Sequence, residues 1–320
     1  MGKYVLRRLV LILPTLLLLS LFVFVLMRVL PGDVTRTIMG EEIGATNIDM
    51  KMSLETLRKK IGLDKPLYMQ YLIWVWDAAR GNFGDSLITG KSVAGEIAQR
   101  APVTMQLSLM AMLISMFLGI PVGIMSAIRQ NSWIDLTLRF WSIFLLAAPS
   151  FWLGLMVIFV GAYAFGWLPP LGRHLLWEDP VANLTQLMWP ALILGSHGMA
   201  TTARMTRSTM LEVMREDYIR TARAKGLREQ AVIIRHALKN TLIPVVTLAG
   251  LSFATLLGGT VILEAIFGIP GMGYYLLNGI NSHDYTVVQG GVMVFAVMVM
   301  LVNLLIDLLY GWIDPRISYG

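Results

Sequence analysis

The sequence predicts an all-α fold, a polytopic membrane protein with six transmembrane helices. Three observations predict it. Of the 320 residues, 56% are hydrophobic and 14% are charged, whereas an average soluble domain carries about 25% charged residues. The mean hydropathy is +0.66. The apolar residues gather into runs long enough to cross a bilayer, which takes about 20 residues, and the charges fall between the runs.

The runs follow in order. Residues 9–27 are charge-free and Arg28 follows them. Residues 101–128, 140–172, 181–203 and 240–263 carry no charge, and 285–306 close the set. The run 140–172 is long enough for one span and an exported turn. Pro121, Pro149, Pro190 and Pro244 lie inside these runs. A bundle tolerates them where neighbours satisfy the freed backbone groups. Lys3, Arg7 and Arg8 resemble the basic start of a signal peptide. The run that follows leads to Pro31, Gly32 and Asp33 without a small-x-small cleavage site, so a retained first span is expected.

Lys and Arg in short connections set the orientation. The N-terminus has Lys3, Arg7 and Arg8, and the second-to-third connection has Arg129 and Arg139. The stretch 204–239 holds nine Lys/Arg and four Asp/Glu. On the other side stands Arg173 alone, with no basic residue between Glu264 and Tyr285. Both termini are therefore expected in the cytoplasm, with Arg316 marking the C-terminal one. Residues 33–100 carry nine basic and nine acidic residues and are long enough to be exported regardless of charge. The chain thus divides into a first span (1–30), an exported insertion (31–100) and a membrane core (101–320). Nucleic acid is excluded as a partner because the basic residues border spans. The chain has no cysteine, which excludes disulfides and thiolate metal sites.

Inside the insertion, Ser53 to Gly62 reads as a helix with Leu54, Leu57 and Ile61 in a stripe. Pro66 opens a second helix, on which Leu67, Tyr71, Trp74 and Ala78 share a face and which Gly81 ends. The string GDSLITGKS from Gly84 resembles a phosphate-binding loop. It has five residues between its glycines where the motif has four, and no apolar strand precedes it. The chain is therefore not expected to hydrolyse ATP, and no catalytic residue is assigned.

The stretch 204–239 carries the most information. Tyr218 to Arg228 can form a short helix stopped by Gly226, the shape needed to enter a cleft on a soluble partner. Tyr218, Ile219 and Ala222 can make one apolar edge, while Arg220, Arg223 and Arg228 face elsewhere. Gly226 supplies a left-handed terminus without a side-chain penalty. Leu227 then begins a turn into a second helix, 229–238.

Several strings together resemble one family. RMTRSTMLEVMREDYIRTARAKGLR (204–228) and HALKNTLIP (236–244) are joined by PGD at 31, GLDKP at 62, GIPVG at 119 and PSFWLG at 149. FGIPGMG at 267, DYTVVQG at 284 and DLLYGWIDPR at 307 complete the series. Their order and spacing resemble the inner-membrane permease subunits of dipeptide/oligopeptide ABC importers nearly end to end. The long insertion after the first span resembles the first of the two permease types.

The resemblance implies the type I ABC importer permease (MetI-like) fold in the bacterial inner membrane, with peptide as substrate. It implies a second homologous permease, two ATP-binding subunits that bind ATP and Mg, and a periplasmic or lipid-anchored solute-binding protein. This chain itself is expected to bind no cofactor and no metal. The family's E-A-A-x3-G and I-x-L-P strings are altered here to Arg220-Thr221-Ala222 before Gly226 and to His236-Ala237-Leu238-Lys239. Contacts of the acidic residue in other branches therefore do not carry over. ATPase coupling is assigned to Tyr218, Ile219, Arg220, Ala222, Arg223, Lys225, Gly226, Leu227 and Arg228.

In such importers the fifth span lines the pathway, which here points to Gly250, Ala254, Thr255, Gly258 and Gly259. These small residues equally permit close helix packing. Phe267, Pro270 and Gly271 belong to a broken segment expected to turn at the outer surface, pack Phe267 and Ile269 inward and gate the exit. Import of nickel, a metallophore or glutathione is the alternative within the class, although His174, His197, His236 and His283 are scattered. A stand-alone secondary transporter is the alternative from another class, and it has no need of a coupling loop.

Overall fold

A computed structural model of the chain describes residues 2–29 and 65–313. The elements, in order, are α1 Gly2–Val29, α2 Leu67–Ala79, α3 Val93–Ile128, α4 Trp133–Ala147, α5 Ser150–Phe165 and α6 Pro180–Val213. They continue with α7 Asp217–Ala224, α8 Glu229–Ala231, a π-helical turn Val232–Ala237, α9 Leu238–Phe267, α10 Met272–Asn281 and α11 Tyr285–Ile313. The only β feature among the described residues is an isolated bridge between Asp85 and Ser92. The helix read at 53–62 lies outside the described residues.

Among the described residues, four helices are long and apolar enough to cross a membrane: α1, α3, the continuous run Glu229–Phe267, and α11. The pair α4 and α5 makes a fifth candidate, bent by 97°. The span expected within 140–172 is therefore bent, and the cause is local. Pro149 forces the preceding residue out of the helical region, and Ala148 accordingly sits at φ −70°, ψ 123°. α6 has the length of a span but is studded with polar residues, and fourteen of its residues are buried.

By contacts the described chain forms two compact units. The first, Val103–Pro270 with Leu301 onward, is built around α6. Leu187, Ala191 and Leu194 of α6 meet Val103, Leu107 and Ala111 of α3 and Leu256, Leu263 and Phe267 of α9 in one core. Glycine lets α3 and α6 touch backbone to backbone, as small residues do between membrane helices. A β-carbon added at Gly119 would lie 2.8 Å from Thr202 Cβ, and one at Gly123 would lie 2.5 Å from the Ala203 carbonyl. The hydroxyls of Ser115 and Thr202 are 3.1 Å apart in the same seam. Near the far end, Thr104 donates to the buried Glu264 carboxylate at 2.7 Å.

The second unit holds Gly2–Pro102 and Gly271–Met300. In it, α2 opens after Pro66 as read, and Gly81 adopts φ +79° just past its end. Phe24 of α1 meets Tyr71 edge-on at 5.4 Å and lies near Trp74 at 6.4 Å. Arg28 donates to Gln70 at 2.6 Å, tying the end of α1 to α2. Leu67, expected on the same face, is 59% exposed. The GDSLITGKS loop folds on itself. Backbone N–H groups of Thr89 and Gly90 bond to Ser86, and the Ser86 hydroxyl donates to buried Asp284 at 2.6 Å.

Candidate functional site

α6 does not end at the expected membrane border. It runs ten residues past Ala203, so Arg204 and Arg207 stand on a rigid helix and not in a loop. α7 follows after a three-residue turn. Eight residues are too few for a helix stable in isolation, so tertiary contacts must hold it. Ile219 (0% exposed) and Ala222 (5%) supply them, packing against Ala127, Met210, Val232 and Ala237. Fully burying one isoleucine is worth about 1.5–3 kcal/mol. The hydroxyl of Tyr218 accepts a hydrogen bond from Asn240 of α9 at 2.7 Å.

The C-terminus of α7 closes in a Schellman motif. The Gly226 N–H bonds to the Arg223 carbonyl at 2.9 Å and the Leu227 N–H reaches the Ala222 carbonyl at 3.4 Å. Gly226 has φ +77°, and a β-carbon there would meet nothing within 4 Å. Arg223 clasps Glu229 with two hydrogen bonds, at 2.6 and 3.1 Å, across this turn. That carboxylate pushes the Arg223 guanidinium further above its usual range.

The placement of the assigned residues differs from the edge read in sequence. Ile219 and Ala222 are consumed inside the chain. Tyr218, Arg220, Lys225, Leu227 and Arg228 are exposed, so the surface offered outward is polar and basic with two apolar points. The second helix expected at 229–238 is the opening of the run into α9, with the π turn between them. π turns are frequent at functional sites, and here one sits between α7 and α9 in the chain.

Along α9 the five small residues divide. Gly250 and Gly259 are packing positions. A β-carbon there would lie 2.7 Å from Ile306 Cγ2 and 2.9 Å from Leu194 Cδ1 respectively. Ala254 is half-buried. Thr255 is exposed and Gly258 faces open space. With Leu251 and Ile262, both exposed, they share the face that helical spacing assigns to 251, 255, 258 and 262. α9 then stops at Gly268 (φ +64°), and Phe267 and Ile269 are buried as expected. Pro270 is half-buried, and Gly271 caps α10 with an extended backbone.

This helix order has counterparts. Residues 119–319 match the family model of the binding-protein-dependent transport system inner membrane component, and residues 1–108 match that family's N-terminal model. The chain belongs to this permease family. It is 40% identical over 340 residues to the dipeptide transport system permease protein DppB of Alkalihalophilus pseudofirmus, covering all of both chains. It is 38% identical over 319 residues to the glutathione transport system permease protein GsiC of Escherichia coli, again covering both. The inward-facing MetNI methionine ABC transporter shares the fold at a TM-score of 0.57 and 17% identity, over 68% of this chain and 96% of that one.

The structure of the permease also shows a charged residue that sequence reading passed over. Asp135, in the first turn of α4, is fully buried. It accepts two hydrogen bonds from Arg207 of α6, at 3.0 and 3.1 Å, one from the Asn131 N–H at 3.0 Å, and another from the Ser126 hydroxyl. Arg139 lies 3.3 Å away. The carboxylate thereby fixes the base of α6, from which α7 hangs.

Proposed function

We propose that this permease is the first of two homologous membrane subunits of an ATP-driven importer that brings di- or oligopeptides into the bacterial cytoplasm. The observation that carries the reading is α7. It is a short helix fixed from behind by Ile219 and Ala222, closed by Gly226, and exposed over the rest of its surface. Two separate ATPase subunits bind ATP and Mg and receive α7, with Tyr218, Arg220, Lys225, Leu227 and Arg228 as the contact surface. Arg223 positions that surface through Glu229. A periplasmic or lipid-anchored binding protein delivers substrate from outside, where Phe267, Pro270 and Gly271 turn the chain at the gate. Thr255 and Gly258 face the pathway.

Peptide cargo is supported by full-length similarity to a dipeptide permease. Similarity to a glutathione permease supports a second reading, since glutathione is itself a modified tripeptide. The two separate in cells lacking the permease gene and given it back beside its companion subunits. Labelled dialanine should accumulate, and excess glutathione should compete weakly. Uptake of glutathione with none of dialanine would transfer the assignment. Uptake that persists without the ATPases would make the chain a stand-alone carrier.

The proposed topology has six spans, with α6 and the bent α4–α5 pair among them, both termini cytoplasmic, and 31–100 an exported insertion between the first span and the core at 101–320. Because the chain has no cysteine, single cysteines report cleanly. An impermeant thiol reagent on intact cells should label Lys91→Cys, whose native side chain is 68% exposed, and spare Arg223→Cys. The opposite pattern would invert the topology.

A further inference from the structure

One cavity in the first unit is assigned no role by the transport reading. It has a volume of about 530 Å³ and lies between α4 and α6, with Val122 and Ser126 of α3 as its floor. Its lining is graded. At one end stand Arg139 of α4 and Arg204, Arg207 and Arg215 on or just beyond α6. At the other end stand Ile143 and Leu146 of α4 with Ala200 of α6. Because Asp135 near the start of α4 meets Arg207 near the end of α6, the two gradients coincide.

The charges at the mouth are not balanced. Four guanidinium groups face two carboxylates, Asp135 and Glu212. Asp135 is already saturated by Arg207, Ser126 and Asn131, with Arg139 beside it. Among the described residues, no carboxylate lies within ion-pair distance of Arg204 or Arg215. An anion seated there would meet free guanidinium groups beside a wall that excludes water. The apolar wall runs from Arg139 to Leu146, about 10 Å along the helix axis, the reach of a stretch of acyl chain. Trp133 (83% exposed) and Trp141 (56% exposed) lie on the same helix, and tryptophan collects at the headgroup level of a bilayer.

We propose that this cleft binds an anionic phospholipid of the cytoplasmic leaflet, with the phosphate on Arg204 and Arg215 beside Arg139 and an acyl chain along Ile143, Leu146 and Ala200. Basic pockets between spans at the cytoplasmic face take such headgroups. The occupant would brace α4 against α6 just above α7. The inference rests on the cytoplasmic placement of 204–239, which cysteine labelling tests separately, and is independent of cargo.

The test is native mass spectrometry of the detergent-purified transporter complex titrated with phosphatidylglycerol or phosphatidylethanolamine. Phosphatidylglycerol should be retained preferentially, and inorganic phosphate should not displace it. The double variant Arg204→Gln/Arg215→Gln should lose retention by roughly thirtyfold, at about a fivefold loss for each basic group removed near an anionic headgroup. Ile143→Trp, at a position 67% exposed, fills the apolar end, leaves every arginine in place and should lose retention too. Both variants keep Asp135 and Arg207, and their thermal transitions should match the parent. Equal retention of the two lipids, displacement by phosphate, or unchanged retention in a stable double variant would overturn the proposal. So would lipid bound to the isolated permease but absent from the complex, because a partner subunit would then cover the cleft.

Discussion

Replacing Gly226 with valine should abolish uptake while leaving the permease in the membrane at its normal level. Gly226 has a left-handed backbone, and a β-carbon there would meet nothing within 4 Å, so crowding at the branch point is not the cost of the substitution. Its cost is backbone strain, about 1–2 kcal/mol for an ordinary residue and more for a β-branched one. That is small against a bundle of membrane helices. It is large against an eight-residue helix held by two buried side chains. The Schellman bonds from Gly226 and Leu227 would open, and the clasp between Arg223 and Glu229 would lose its geometry.

Three substitutions separate strain from charge. Gly226→Asn, which tolerates this backbone region, should retain most uptake. Gly226→Ala should fall between asparagine and valine. Gly226→Asp, tolerated by the backbone better than valine, places a carboxylate on the proposed docking surface and should lose ATPase co-purification and substrate-stimulated hydrolysis. If valine and aspartate both transport at the parental rate with the complex intact, residues 218–228 are not the coupling element.

How far the sequence discloses this arrangement depends on the range of the interaction. Local signals are legible. Pro66 and Gly81 bracket α2, Gly226 stops α7, and three glycines with a proline between 267 and 273 announce a break that buries Phe267 and Ile269. The bend at Ala148–Pro149 has an equally local cause, but a charge-free run around it does not disclose the angle. The extension of α6 to Val213 is hidden because a charge marks the edge of a bilayer, not the end of a helix. Nothing local reveals which face of α7 the chain keeps for itself. Ile219 and Ala222 look like a surface for a partner until Met210 and Val232 are found against them. Asp135 is the extreme case, since Arg207 lies 72 residues away and a lone aspartate in the first turn of a helix reads as a favourable charge at the helix N-terminus.

Gly123 and Gly258 should respond in opposite ways to leucine, because one closes a seam and the other lines an open face. At Gly123 a β-carbon would meet the Ala203 carbonyl and Thr206 Cβ, both at 2.5 Å. Neither is the far end of a flexible side chain, so α3 and α6 must separate. Overpacking of this kind costs about 1–3 kcal/mol, and more when backbone blocks relaxation. The Ser115–Thr202 contact bridges the same two helices, and the Arg207–Asp135 pair ties α6 to α4, so both would be disturbed with it. Gly123→Leu should therefore lower the amount of permease in the membrane several-fold, the usual consequence of such destabilisation in cells, and Gly123→Ala should fall between leucine and glycine. At Gly258 a β-carbon would meet nothing within 4 Å. Gly258→Leu should accumulate normally and bind its ATPases, yet reduce uptake by narrowing the pathway beside Thr255. Normal uptake by a normally accumulated Gly258→Leu would assign that face of α9 to lipid and move the pathway to another helix.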